Sequence, residues 1–194
     1  VPEHIRKAFE DKHVSSSTGE LTWDWKETGA GYFMVDTQKT KVFSGFVRGR
    51  TFRYGGMTLA PGKSRLDWIT LTLTKASGPE SGQDDVLQPG NYLLAATGFV
   101  QNTDMKIVQV SDDPPKVSIS QPDGGRLGTA PVLCEGIDAR LSFDGVGGTM
   151  KCYALDPDGN RMQEVPVVSD ENGKAVLEIG PEYKTVWYEI SITQ

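Results

Sequence analysis

A chain of 194 residues with 37% hydrophobic content can bury one sizeable core or two small ones, and two small domains are the expectation. The 20 basic and 26 acidic residues leave a net charge of −6, and no Lys/Arg cluster offers the phosphate-neutralising stripe of a nucleic-acid binder, so nucleic acid is not an expected partner. No window approaches the roughly 20 apolar residues that span a bilayer, and the start, Val-Pro-Glu, has neither a charged n-region nor an apolar h-region; it reads as an internal fragment or a processed form with no membrane partner.

Residues 2–13, PEHIRKAFEDKH, predict the single helix. Pro2 suits a first turn, and Ile5, Ala8 and Phe9 fall at i, i+3 and i+4 on one face. Ser15, Ser16, Ser17 and Thr18 end that pattern, and the rest reads as short strands between turn signals. TGELTWDW places Leu21, Trp23 and Trp25 on one face of a strand. YFMVDT, TKVFSGFV, RTFRY, DWITLTLTKA, NYLLAATGFV and MKIVQV come next, with Arg48-Gly49 read as a tight hairpin joining TKVFSGFV to RTFRY. Residues 77–90, SGPESGQDDVLQPG, predict a surface loop. Asp112-Asp-Pro-Pro115 is taken as a domain boundary, because two prolines after two acids end a strand and stiffen the next few residues.

Beyond it, KVSISQP, APVLCEGI, ARLSFDG, GTMKCYALD, RMQEVPVVSD, KAVLEIG and TVWYEISITQ are short strands separated by turns such as PDGG and DPDGN, the spacing of an immunoglobulin-like sandwich. The expected fold is therefore all-β: a helix or linker over 1–14, a larger, jelly-roll-like β-sandwich over 15–113, and a smaller immunoglobulin-like one over 114–194. Cys134 and Cys152 are too few for a disulfide scaffold or a cysteine-based zinc site, and either a bridge between them or two free thiols fits the sequence.

Catalytic patterns are missing. His4 and His13, the only histidines, both fall on the expected helix, which rules out a Ser-His-Asp triad within the sandwiches, and no nucleophile-elbow, phosphate-loop, metalloprotease or dinucleotide motif occurs. Asp156-Pro-Asp-Gly-Asn160 looks superficially like a calcium loop. Its glycine, however, precedes the third ligand position, and Val167 stands where the bidentate Glu belongs, so it reads as a hairpin turn and no cofactor is expected. Adjacent acids such as Asp84-Asp85, Asp112-Asp113 and Asp170-Glu171 point to opposite sides of an extended chain and read as solvated loop carboxylates.

What remains is aromatic placement. The C–H face of a pyranose stacks on an indole or phenol ring while amides, acids and Arg hydrogen-bond its hydroxyls. In strand 67–76, Ile69, Leu71 and Leu73 alternate with Trp68, Thr70, Thr72 and Thr74, so with the aliphatics inward Trp68 stands beside a row of threonines on the outer face. That is either a binding platform or a surface covered by the helix or the second domain. Arg48, Arg50, Phe52, Arg53 and Tyr54 form a basic and aromatic cluster that fits a hydroxyl-rich or acidic ligand as well as it fits ion pairs within the sheet. In TVWYEISI, Tyr188 shares the core face with Ile190, and Trp187 falls on the other.

SSSTGELTWDW, GYFMVDTQKTKVFSGFV, ITLTLTKASG, LLAATGFVQNTDMK and PVLCEGI with YALDPDGNR together resemble the ancillary β-sandwich region that follows the catalytic (β/α)-barrel in a group of bacterial glycoside hydrolases. Thr18–Trp23, Val35–Thr40 and Leu93–Met105 match that pattern in order, and Ser17 departs from it by standing where an acid is usual. The resemblance implies that the helix is the last of a barrel or its linker. It also implies a secreted or periplasmic, monomeric module covalently preceded by a catalytic domain, with the catalytic carboxylates in that other domain. On this basis the chain is expected not to be an enzyme by itself. The expected role is binding or positioning of a polysaccharide or oligosaccharide through Trp68 and Trp23 or Trp25, with Arg50, Arg53, Tyr54, Gln101 and Asn102 as partners. The alternative is a structural spacer whose tryptophans are buried between its parts.

Overall fold

A computed structural model of the chain describes residues 2–78 and 86–194. It is 54% strand and 6% helix, with one α-helix among the described residues and several antiparallel sheets not closed into a barrel, so the all-β sandwich expectation holds. Half of the predicted surface loop at 77–90, including the pair Asp84-Asp85, lies outside the described residues.

After the helix α1 (Glu3–Asp11) come β1 (His13–Ser15), β2 (Leu21–Asp24), β3 (Tyr32–Asp36), β4 (Thr40–Phe46), β5 (Phe52–Tyr54), β6 (Met57–Pro61), β7 (Trp68–Ser77) and β8 (Gly90–Thr97). The chain continues through β9 (Val100–Thr103), β10 (Val108–Asp112), β11 (Pro115–Ser118), β12 (Thr129–Cys134), β13 (Ala139–Phe143) and β14 (Thr149–Leu155). It ends with β15 (Arg161–Val165), β16 (Val167–Ser169), β17 (Ala175–Ile179) and β18 (Trp187–Thr193). One sheet of nine strands has the order β1-β2-β3-β4-β7-β8-β18-β14-β15, and a sheet of five has the order β16-β17-β13-β6-β5.

The two halves of the chain share both sheets. β8 pairs with β18 and β6 with β13, so strands on either side of residue 113 are direct neighbours in each layer. One sandwich with one core replaces the expected tandem pair. The core is filled from the large sheet by Phe43, Leu71, Leu94, Tyr188 and Ile190, and from the small one by Leu59, Leu141 and Leu177, all at 1% exposure or less. Asp112-Asp-Pro-Pro115, expected as a linker, is instead the turn of the β10–β11 hairpin, in which Asp112 stands opposite Pro115. That hairpin and the β9–β12 pair form an arm, residues 98–136, whose strands pair only with each other and not with either large sheet.

Two further expectations change. Arg48 and Gly49 do turn tightly, both at positive φ, but β4 and β5 belong to different sheets, so the turn carries the chain around a corner and closes no hairpin. The hairpin forms at Gly55-Gly56, between the paired residues Tyr54 and Met57. Both of its central residues need positive φ, which two glycines adopt without steric cost. His13 leaves the helix to begin β1, because Lys12 takes a left-handed conformation and ends α1. Cys134 is exposed on β12 and Cys152 is buried on β14; both are free thiols, and burial pushes the Cys152 thiol up to about 12.

Because each half lacks part of both sheets, fragments 1–113 and 114–194 produced separately will show no cooperative thermal transition, whereas the whole chain unfolds in one. Leu141→Ala, at a position with no exposure, will cost about 2–5 kcal/mol. Calorimetry or circular dichroism checks both outcomes.

Candidate functional site: an uncharged aromatic sheet face

A strand alternates its side chains between two faces, and antiparallel partners share a face. The register therefore defines the outer surface of the nine-stranded sheet. Trp23 stands opposite Phe33, Phe33 opposite Ser44, Ser44 opposite Thr70, and Thr70 opposite Thr97, which forms one outward row. Leu21, Val35, Val42, Thr72 and Ala95 form the next, and it ends at Trp187. Phe46 and Trp68 stand opposite each other on the same face, two residues along from Ser44 and Thr70. Neither row, nor the Phe46–Trp68 pair, carries a charged side chain, in a protein where 24% of residues are charged. Charge returns at the two ends: beside Trp23, where Lys7 and Asp11 line the cleft against α1, and beyond β8, where Arg161 Nε and Nη2 donate to Glu189 at 2.7 and 2.8 Å and the guanidinium lies 4.1 Å from the centre of the Tyr153 ring.

The aromatics are held in place and remain accessible. Trp23 is 51% exposed and lies 4.5 Å, centroid to centroid, from the half-buried Trp25, which Phe9 of α1 meets edge-on at 6.0 Å. Trp68 is 37% exposed and is braced edge-on by Phe46 at 5.3 Å and 85°. Phe33, between these clusters, is 39% exposed. The hydroxyls of Ser44 and Thr70 lie 2.8 Å apart between Phe33 and Trp68 and present a fixed polar pair amid the rings. Ile69, Leu71 and Leu73, the intervening residues of β7, are in the core, as the alternation requires.

All three candidate tryptophans therefore share one surface. The other sequence candidates do not join them. Arg50 lies over the rings of Tyr32 and Phe52 at 5.6 and 5.2 Å and donates through Nη2 to the carbonyls of Ala30 and Phe46, at 2.6 and 2.7 Å, so it staples the corner between the sheets. Arg53 sits on β5, in the other sheet, paired with Asp144. Tyr54 is 6% exposed, and desolvation drives its hydroxyl pKa upward. Gln101 accepts from Arg65 Nη1 at 3.1 Å, which ties the arm to the turn before β7, and Asn102 donates to the carbonyl of Leu127 at 3.0 Å within the arm. Sequence reasoning missed Phe33 and Phe46. The signal for Phe33 lies in YFMVD, whose alternation sets Phe33 and Val35 against Tyr32, Met34 and Asp36.

Beside the Trp23 end, α1 and β1 flank an open cleft of about 470 Å3 lined by Ile5, Phe9, Val14 and Trp23 among others. His13, also in its lining, donates through Nδ1 to Asp24 Oδ2 at 3.0 Å. A triad of the nucleophilic kind needs a hydroxyl or thiol at the other imidazole nitrogen, and the nearby Ser15 hydroxyl instead pairs with Thr22 at 3.2 Å. Burial works to raise the Asp24 carboxyl. The His13 hydrogen bond, the Lys26 amide and the neighbouring positive groups outweigh it and hold the pKa below the ordinary 3.8. Among the described residues no three His, Cys, Asp or Glu side chains converge on a metal position.

Arg50→Lys, which keeps charge but loses the planar fork, will lower stability by about 1–3 kcal/mol while leaving acrylamide access to the tryptophans unchanged. The contribution of Asp24, whose folded pKa is depressed, is present above 3.8 and is lost as the pH falls through the lower folded value. The Tm advantage of the native chain over Asp24→Asn will therefore hold at neutral pH and close only under strong acid.

Comparison with protein-family models, with curated proteins and with solved structures finds no match to this chain.

Proposed function

We propose that this chain is a non-catalytic glycan-binding module whose platform is the uncharged outer face of the nine-stranded sheet. The observation that carries the reading is the convergence of Trp23, Trp25 and Trp68 on that one face, with Trp23 and Trp68 open to solvent and a fixed hydroxyl pair between them. Rigid indoles present stacking surface for pyranose C–H faces at little entropic cost, and neighbouring hydroxyls exchange hydrogen bonds with sugar hydroxyls. The resemblance to the ancillary region of secreted bacterial glycoside hydrolases supports the same reading. In that role the module works outside the cytoplasm, beside a catalytic domain that it supplies with substrate.

A second reading, a docking module without glycan ligand, draws on a different observation. The cleft between α1 and β1 is mainly apolar, and Phe9 on its rim is 66% exposed.

Affinity electrophoresis of the chain in gels containing soluble polysaccharides separates the two. Retention that Trp68→Ala abolishes is the expected result, accompanied by protection of tryptophan fluorescence from acrylamide when glycan is added. Migration unaffected by every polysaccharide, with tryptophans equally quenched in its presence, would reject the glycan reading.

A further inference from the structure

The chemical class and reach of the ligand can be read from the spacing and charge of the platform. Trp23, Phe33, Ser44 and Thr70 occupy four consecutive strands, β2, β3, β4 and β7, in a single row across the sheet. Trp68 lies two residues from Thr70 on the same face. Neighbouring strands are about 4.8 Å apart, so the row spans about 14 Å in three steps, each close to the advance of one pyranose along an extended chain. Every step presents a group suited to a sugar: an indole, a phenyl ring, a hydroxyl, then a hydroxyl beside a second indole.

From Phe33 to Trp68 the row itself offers no charged side chain to an anion. A uronate or sulfate laid on that stretch would lose hydration without meeting a cation from the row, and leaving a charge unpaired in that way is unfavourable. A glycan that coils or branches at every residue would lift from the row after one contact, because the stations lie side by side on one sheet and the row beside their middle, Val35, Val42 and Thr72, is of short side chains.

We propose, on the premise that this face binds glycan, that its ligand is an uncharged, extended polysaccharide lying across the strands, with about four consecutive sugars in contact from Trp23 to Trp68. The two tryptophans are the ends of one site and act on the same chain. Phe33 and the Ser44–Thr70 hydroxyl pair form its middle.

Titration calorimetry of the whole chain against a ladder of neutral β-1,4-linked oligosaccharides, from disaccharide to hexasaccharide, with oligouronates in parallel, tests this. Affinity should climb to the tetrasaccharide and then level, and oligouronates should give no heat. Trp23→Ala and Trp68→Ala should each weaken the tetrasaccharide about ten-fold, the worth of one lost aromatic contact, while leaving the disaccharide less affected. Thr70→Glu, which places a carboxylate mid-row, should abolish binding. Phe33→Ala, at an exposed position, keeps the test of the middle independent of whether the glutamate is tolerated. Neutral glycan bound with affinity already level at the disaccharide, or oligouronates bound as well as neutral ones, would overturn this inference and leave the glycan-binding reading standing. If no glycan binds, both fall, and concentration-dependent self-association in the ultracentrifuge that Trp68→Ala removes would then identify the face as an interface between copies.

Discussion

Leu59 and Leu141 stand opposite each other in the ladder between β6 and β13, and neither is exposed. Residues more than eighty positions apart in sequence are paired there at the centre of the smaller sheet. Until that ladder forms, the small sheet is divided between β5–β6 and β13–β17–β16, and the large sheet has no opposing layer against which to bury Phe43, Leu71 and Leu94. Backbone pairing across such a separation must first overcome loop-closure entropy, and the reward is hydrophobic burial distributed over both layers. The arm of residues 98–136 is an excursion between the two halves of the chain, and it interrupts neither sheet.

The large sheet owes its two unlike faces to strict alternation. Over residues 68–74 of β7 the inward residues are aliphatic and fully buried, and the outward ones are three threonines and a tryptophan. The neighbouring strands repeat the division in matching register, so the outward residues merge into one neutral surface rather than scattered exposed hydrophobics. An aromatic-rich neutral surface of this extent is the kind of feature that marks an interaction site. Its rings are restrained: Trp68 by Phe46, Trp23 by Trp25, and Trp25 in turn by Phe9. Rigid presentation lowers the ordering cost of binding, which is why stacked and edge-braced rings suit a platform better than freely rotating ones.

Much of this was legible from residue order, since it depends on local chemistry. The helix, most strands, the inward set of β7 and the partition of Tyr188 from Trp187 all arise from periods of 3.6 or 2 and from turn residues. The outward placement of Trp68 belongs with them. Failures came where a residue's role is set by distant partners. Arg50, beside an aromatic hairpin in sequence, looks like a ligand contact, yet its guanidinium is spent on the carbonyls of Ala30 and Phe46. Met57-Thr-Leu-Ala-Pro61, short and framed by glycines and a proline, gives little sign of being the strand that joins the halves.

The sequence alone determined which residues of β7 and β18 face inward, several of the turns, and that the chain is all-β after one short N-terminal helix, because those properties arise within a few residues of backbone. Tertiary structure decided which strands are neighbours, that two apparent domains are one sandwich, and that tryptophans from separate segments share a surface. Alternation assigns a residue to a face, but the partner of that face is chosen by hydrogen-bond register and core complementarity between segments that only folding brings together.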